Sequence, residues 1–175
     1  MVALMDSLEA IQAFMEAGGE VLYLIAGLTF VMWTLILERV WYFRSGLQKE
    51  VQATLDSWES RKERKSWGAH RVREALISRV SEKINANLDM ITTMVMLAPL
   101  FGLLGTVWGM IEVFNVLAVT GGGDAKSMAG GVSKATIPTM AGMVAALSGV
   151  FGNTYVTGTA ERENQLLEDH LTMDH

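Results

Sequence analysis

Two threonines and three charged residues stand out as the side chains that could take part in chemistry. Thr106 and Thr139 lie among apolar residues, whereas Asp89, Glu112 and Lys134 lie where apolar stretches meet charged segments. A threonine hydroxyl can hydrogen-bond to a proton carrier, but it does not release a proton near neutral pH. If this chain conducts protons, the carrier must therefore come from another polypeptide. A partner carboxylate in an apolar cavity would have a raised pKa.

Enzymatic residues are scarce in this chain. It has no cysteine, and its three histidines are His70, His170 and His175. None has a neighbour at metal-ligand spacing or a nucleophile partner, so surface histidines are expected. Gly121–Gly123 and Asp124 predict a turn, and no Gly-Lys-Ser/Thr follows that would indicate a phosphate-binding loop. The pattern predicts no catalytic residue, no metal and no cofactor, and an enzyme is the weakest functional alternative.

The elements that must position these residues are three uncharged blocks. Val21–Leu37 has 17 residues, and Met90–Ile111 and Ala135–Val156 have 22 each. A helix of about 20 apolar residues spans a membrane. A soluble protein with three buried helices is disfavoured, because a core helix of this length is rarely uncharged on every face. The sequence therefore predicts an all-α, polytopic membrane protein with three transmembrane helices.

The basic residues predict the orientation of the spans. Residues 38–87 carry 11 of the 14 Lys and Arg, residues 1–20 carry none, and residues 118–131 carry only Lys126. Because Lys and Arg stay on the inner side, the N-terminus is expected outside and the C-terminus inside. The first twenty residues hold four acids and no basic residue, which is not the pattern of a cleaved signal peptide.

This orientation divides the chain into seven segments. They are an outer amphipathic helix (1–20), the first span (21–37), an inner helical region (38–88), the second span (89–117), an outer loop (118–131), the third span (132–157), and an inner helix and tail (158–175). Four-residue apolar spacings before the second span predict a helix that continues directly into it. The second and third helices are therefore expected to extend into the cytoplasm.

Small residues recur at helical spacing in the second and third spans. Such residues let transmembrane helices approach closely. The candidate packing residues are Ala98, Gly102, Gly105 and Gly109 in the second span and Gly142, Ala146 and Gly149 in the third. Contact between two spans of one subunit and contact between subunits of an oligomer both fit this pattern.

Two sequence runs resemble a known family. Residues 98–114, APLFGLLGTVWGMIEVF, closely resemble the second-helix signature of the ExbB/TolQ/MotA proton-channel family, nearest its ExbB branch. Residues 131–155, GVSKATIPTMAGMVAALSGVFGNTY, are similar to that family's third helix.

The resemblance implies a function and a set of partners. It implies a ring-like homo-oligomer, a pentamer, in the bacterial inner membrane, with its N-terminus in the periplasm and its C-terminus in the cytoplasm. The ring would surround two copies of a single-span ExbD-like subunit whose membrane aspartate carries protons, and it would act on a TonB-like protein that powers outer-membrane transport. Membrane lipid is an expected partner, and nucleic acid is not.

The resemblance also implies residue roles. Thr106 and Thr139 match the family's pore-lining threonines. Lys134 stands where the family carries an acid near the start of the third helix, and Ser148 stands where a proline is often found. A carboxylate role at position 134 is therefore not available to this chain.

Two other functions remain open. A TolQ-like role in envelope integrity would use the same motifs. A purely structural scaffold could surround a partner helix without conducting ions, and its function would then tolerate Thr106→Ala and Thr139→Val.

Overall fold

A computed structural model describes residues 2–60, 66–121 and 125–171, all in helices, turns or bends. The helices are α1 (Val2–Trp41), α2 (Leu47–Glu59), α3 (Trp67–Asn85), α4 (Leu88–Thr120) and α5 (Ala125–His170), with a π-helical segment at Tyr42–Gly46. Of the residues discussed above, His175, Gly122, Gly123 and Asp124 lie outside the described ranges.

The helices that carry the three apolar blocks are long and apolar enough to cross a membrane. Their apolar segments fall within the stretches Met5–Glu59, Trp67–Val119 and Met128–His170. The predicted all-α fold with three candidate membrane spans is therefore confirmed.

The backbone departs from helical geometry at two places. Gly19 within α1 has φ 70° and ψ −165°, a combination that is essentially confined to glycine. Between α3 and α4, Ala86 and Asn87 form a turn, in which Asn87 has φ 63°. Asparagine tolerates this left-handed conformation because its short side chain can hydrogen-bond locally. The expectation of one continuous helix leading into the second span is wrong at this turn.

The chain divides into two compact units. The first combines Met1–Trp33 with Thr92–Val150, and the second combines Thr34–Ile91 with Phe151–His175. The core of the first unit contains Val21, Leu22, Ile25, Ala98, Ala145 and Ala146. In this unit, parts of α1, α4 and α5 pack together.

The second unit has its own buried side chains. Trp58 of α2, Ile84 of α3 and Leu167 of α5 are among the largest fully buried residues. The α5 C-terminus is capped within this unit, because Arg73 Nη2 donates to the Glu168 carbonyl at 3.1 Å and Arg73 Nε donates to the Leu171 carbonyl. Carbonyls in the last turn of a helix, such as that of Glu168, lack the usual helical donor four residues later, and the Leu171 carbonyl follows directly after the helix.

Candidate functional site

The candidate site is built on the contact between α4 and α5 in the first unit. Glycines of α4 face the backbone of α5 so closely that a side chain would not fit. A Cβ on Gly102 would lie 3.0 Å from the Pro138 carbonyl oxygen, and one on Gly109 would lie 2.6 Å from the Ala135 Cβ. We call this contact the seam, and define it by Ala98, Gly102, Gly105 and Gly109 of α4 and Ala135, Pro138 and Gly142 of α5.

The seam runs antiparallel. Gly109 of α4 lies opposite Ala135, near the start of α5, whereas a Cβ on Gly142, further along α5, would lie 2.5 Å from the carbonyl oxygen of Ala98. The two remaining candidate packing residues follow on α5. Ala146 is buried, and Gly149 packs on α1, where an added Cβ would lie 2.5 Å from Met32 Sδ.

Two flanks of the seam carry different chemistry. At about 100° per residue, Thr106 and Glu112 fall on opposite sides of the line through Gly102, Gly105 and Gly109. Thr139 and Lys134 are separated in the same way on α5. Lys134 Nζ lies 3.3 Å from Glu112 Oε1. Since these two residues share one flank, the threonines share the other.

The hydroxyl flank consists of Thr106 and Thr139, bordered by Leu103 and Met143. Thr139 Oγ1 donates across the seam to the Gly102 carbonyl at 3.0 Å, and Thr106 Oγ1 donates to the Leu103 carbonyl at 2.7 Å. Leu103 and Met143 are exposed apolar side chains. Both hydroxyls therefore use their hydrogen within the subunit and keep oxygen lone pairs for an outside partner.

The charged flank faces α1. A cavity of about 310 Å³ lies here, lined by Gly18, Gly19, Glu20, Val21, Gly105, Trp108, Gly109, Glu112 and Lys134. Gly19 approaches α5, because a Cβ on it would lie 4.0 Å from Lys134 Cε. The sequence marked Glu112 and Lys134 only as boundary charges, and the structure brings them together.

The other residues considered from the sequence are not among those that define the seam. Asp89 is in the first turn of α4, where the helix dipole stabilises a negative charge. Ser148, at the position where the resemblance implies a proline, accepts a hydrogen bond from the Trp33 indole at 3.2 Å. His70 and His170 are exposed, and the described ranges contain no group of three His, Asp or Glu that could hold a metal.

A second polar cluster, in the second unit, was missed by sequence reasoning. Arg39 is buried, its guanidinium bonds to Glu38 and to the Lys83 carbonyl, and its Cζ lies 4.9 Å from the Tyr42 ring centre. The Tyr42 hydroxyl donates to Glu50 Oε2 at 2.7 Å, and Lys83 pairs with Glu50 Oε1. The basic-aromatic run after the first span was a signal for a boundary, but not for these pairings.

The contacts of this cluster shift two pKa values. Burial, followed by the hydrogen bond to Glu50, raises the pKa of Tyr42 to about 12. Hydrogen bonds from Lys83 and then Tyr42 lower the pKa of Glu50. The cluster therefore favours a neutral phenol beside an ionised carboxylate.

The chain is similar in sequence to several curated proteins. An ExbB-like biopolymer transport protein of Synechocystis sp. is 40% identical over 77 residues, or 42% of this chain. TolQ of the Tol-Pal system of Pseudomonas aeruginosa is 33% identical over 94 residues, or 54% of this chain. Biopolymer transport protein ExbB of Xanthomonas campestris pv. campestris is 35% identical over 75 residues, or 43% of this chain. The matches cover 30%, 41% and 30% of those proteins.

A family model covers more of the chain. The model of the MotA/TolQ/ExbB proton channel family matches residues 38–169, which include α2 to α4 and nearly all of α5. The relatives bear both ExbB and TolQ names. The family predicted from the two sequence runs is confirmed: the chain belongs to the MotA/TolQ/ExbB proton channel family.

Proposed function

We propose that this chain is the channel subunit of a proton-driven motor that energises TonB-dependent outer-membrane transport. Several copies would surround a single-span, ExbD-like partner, and proton transfer through the complex would drive a TonB-like protein. Membership of a proton channel family and ExbB-named relatives support this reading. The transmembrane potential supplies about 2.3 kcal/mol per charge per 100 mV for each transfer.

The observation that carries the proposal is the pairing of a hydroxyl flank with spans that lack a carboxylate. Val21–Leu37, Met90–Ile111 and Ala135–Val156 contain no Asp, Glu, His, Lys or Arg, whereas Thr106 and Thr139 provide hydroxyls on one flank of the seam. Proton transfer across these spans therefore needs an acid from another chain. An ExbD-like helix with a membrane aspartate meets that need.

The hydrogen bonds of the threonines indicate which protonation state of the partner's carboxyl group they would stabilise. Both hydroxyls donate to backbone carbonyls, so their oxygens are placed to accept a hydrogen bond. A protonated carboxylic acid can donate to them, whereas an ionised carboxylate cannot. Together with burial in an apolar cavity, this stabilises the protonated acid and raises its pKa. The threonines would thereby keep the partner's acid protonated between proton uptake and proton release.

The assembly and topology belong to the same proposal. Exposed apolar side chains, such as Leu103 and Met143, border the hydroxyl flank and could contact neighbouring copies or the partner helix. A homopentamer with the seven segments predicted from the sequence would place the α4–α5 connection in the periplasm and the Arg39 cluster in the cytoplasm of a bacterial inner membrane. The excess of Lys and Arg in residues 38–87 supports this orientation.

Proton flux through the reconstituted complex tests the proposal. The chain, co-purified with its acid-bearing partner, is placed in liposomes with an imposed potential, and internal pH is followed with a dye. Thr106→Val and Thr139→Val should each reduce flux about fivefold, as expected when a neutral hydrogen bond of about 1 kcal/mol to the protonated acid is lost. Complex mass should stay unchanged.

Thr29→Val is the matched control. Its hydroxyl also donates to a backbone carbonyl, that of Ile25 at 2.7 Å, but it lies in the first span away from the hydroxyl flank. Flux should be retained in this variant. Wild-type flux in both threonine variants would remove the threonines from the proton path. No flux through the wild-type complex would support a non-conducting scaffold and would overturn the motor reading.

The TolQ-named relative supports a second candidate function. A TolQ-like subunit would use the same seam but serve envelope integrity. Expression in bacteria that lack their own ExbB or TolQ separates the two functions. The proposal predicts that the chain restores outer-membrane uptake in cells without ExbB but does not restore detergent resistance in cells without TolQ.

A further inference from the structure

The charged cavity beside Gly19 has no role in the proposed proton path. It opens on the flank of the seam that faces α1, and Thr106 and Thr139 lie on the opposite flank. Its volume of about 310 Å³ is at the lower end of the range for small-ligand sites. The cavity therefore needs a different explanation.

The backbone of α1 helps to form this cavity. Gly19 adopts φ 70° and ψ −165° within an otherwise helical run, and Gly18 to Val21 line the cavity with it. Residues other than glycine rarely adopt this conformation. Glu20, immediately after the break, is thereby placed in the same cavity as the ion pair of α4 and α5.

The charges of the cavity suit a zwitterion. Its lining includes Glu20, Glu112 and Lys134, which carry two carboxylates and one ammonium. Lys134 contacts Glu112 Oε1 at 3.3 Å, which engages one of its three N–H donors. The side chains of Lys134 and Glu112 are 41% and 55% exposed, so a ligand can reach them. The carboxylates match a ligand ammonium, and the remaining Lys134 donors match a phosphate.

Apolar side chains continue from the cavity along two helices. Leu24, one turn after Glu20 on α1, is exposed, as are Trp108 and Leu104 on α4, with Leu104 one turn before Trp108. Trp is typical of the level at which a membrane meets water. A charged cavity followed by an apolar surface has the polarity of a phospholipid.

We propose that this cavity binds the headgroup of a phospholipid that carries a primary ammonium, as phosphatidylethanolamine does. Its ammonium contacts Glu20 and Glu112, its phosphate contacts Lys134, and its acyl chains lie along Leu24 and Leu104. A free anion is disfavoured because two acids stand against one lysine. The site is independent of proton transfer, so it can be tested without flux.

Lipid retention measured by native mass spectrometry tests the site. The full chain, in complex with any partner that co-purifies, is placed in nanodiscs with equal amounts of phosphatidylethanolamine, phosphatidylcholine and phosphatidylglycerol, and retained lipid is counted. Phosphatidylcholine keeps the positive charge but has no N–H donors. Phosphatidylethanolamine should therefore be retained about tenfold better, the factor expected for one charge-assisted hydrogen bond.

Variants locate the bound lipid. Glu20→Gln and Lys134→Gln should each reduce the retention of phosphatidylethanolamine, whereas Glu16→Gln, which changes an exposed acid outside the cavity lining, should not. Circular dichroism verifies the fold of each variant, and the comparison of three lipids on the wild-type chain needs no variant.

Three results would overturn the proposal. The first is equal retention of phosphatidylethanolamine and phosphatidylcholine, and the second is a preference for phosphatidylglycerol, which would mean that Lys134 alone reads the headgroup. The third is loss of all lipid retention once a protein partner is bound, which would show that the cavity is a protein contact.

Discussion

Thr139 on α5 donates its hydroxyl hydrogen to the carbonyl oxygen of Gly102 on α4, 3.0 Å away. The bond is possible because Gly102 has no side chain, and an added Cβ would lie 3.0 Å from Thr139 Cα. One threonine thus joins two helices through a backbone atom while it presents its oxygen to the hydroxyl flank. Packing and proposed function meet at this residue.

The Thr139 bond predicts different effects for two substitutions. Thr139→Val removes the hydrogen bond at nearly the same volume and should lower the free energy of unfolding by about 0.6 kcal/mol, the average for such bonds in membrane proteins. Thr139→Ser keeps the hydroxyl and should restore most of the stability and the flux. Unfolding in mixed detergent micelles measures the difference. Equal stability in the two variants would contradict the bond.

The closeness of the seam predicts that Gly105→Ala is strongly destabilising. The new Cβ would lie 2.8 Å from Pro138 Cγ and nearer still to its Cβ, and the helices would have to separate. Overpacking of this kind costs about 1–3 kcal/mol. Gly27→Ala in α1 is the control, because nothing lies within 4 Å of its added Cβ. Thermal unfolding in detergent should separate the two variants. The seam would be looser than described if both unfolded alike.

The Glu50 contacts predict a loss of stability in acid. Since Lys83 and Tyr42 lower the pKa of Glu50 from 4.5, the folded state favours the ionised carboxylate. The stabilisation is present above the unfolded pKa and disappears as pH falls through the lower folded pKa. With allowance for solvent screening, Glu50→Gln should cost up to about 1 kcal/mol at neutral pH. Chemical unfolding against pH should show the wild-type advantage vanish below pH 4.5. A constant advantage across this range would exclude the pair as its source.

Tyr42 predicts a change at alkaline pH. Its pKa is raised from 10.0 to about 12, so the neutral phenol stabilises the fold. That contribution is complete below pH 10.0 and is lost as pH rises towards about 12. Ultraviolet titration of the wild type minus that of Tyr42→Phe should give one phenol that ionises late, and this difference should shift to lower pH in the Glu50→Gln background. A difference curve centred at pH 10.0 would contradict the bond to Glu50.

The Arg73 cap predicts local fraying of α5. Arg73→Leu leaves the carbonyls of Glu168 and Leu171 without this donor, so amide exchange should accelerate in the last turn of the helix. Arg71→Leu serves as the control, because Arg71 pairs with Glu74 at 3.6 Å on an exposed surface of α3. Hydrogen-exchange mass spectrometry compares the two variants, and similar rates at the end of α5 would contradict the cap.

Much of the fold could be predicted because it depends on local composition. Three uncharged blocks indicated the spans, since every face of a membrane helix meets lipid or another helix. The recurring small residues also pointed to positions such as Gly102 and Gly109, where close approach leaves no room for a side chain. Two runs of residues were sufficient to indicate the family.

The remaining features depend on contacts between distant parts of the chain. The Glu112–Lys134 pair follows from the antiparallel register of α4 and α5, which composition does not specify. Burial of Arg39 requires the end of α3, where the Lys83 carbonyl accepts its hydrogen bond at 3.0 Å. The Gly18–Gly19 pair before the first span was an available signal for a break in α1.

The absence of ionisable side chains from the apolar blocks has a consequence for the cell that makes this protein. A newly inserted copy without its partner is an electrical insulator, because protons crossing it would find no base at mid-membrane. We expect overproduction of this chain by itself to leave respiration coupled and growth unharmed. Under the proposed function, the membrane would become leaky to protons only when an acid-bearing partner is produced alongside this chain. The ratio of the two polypeptides would then set the proton leak.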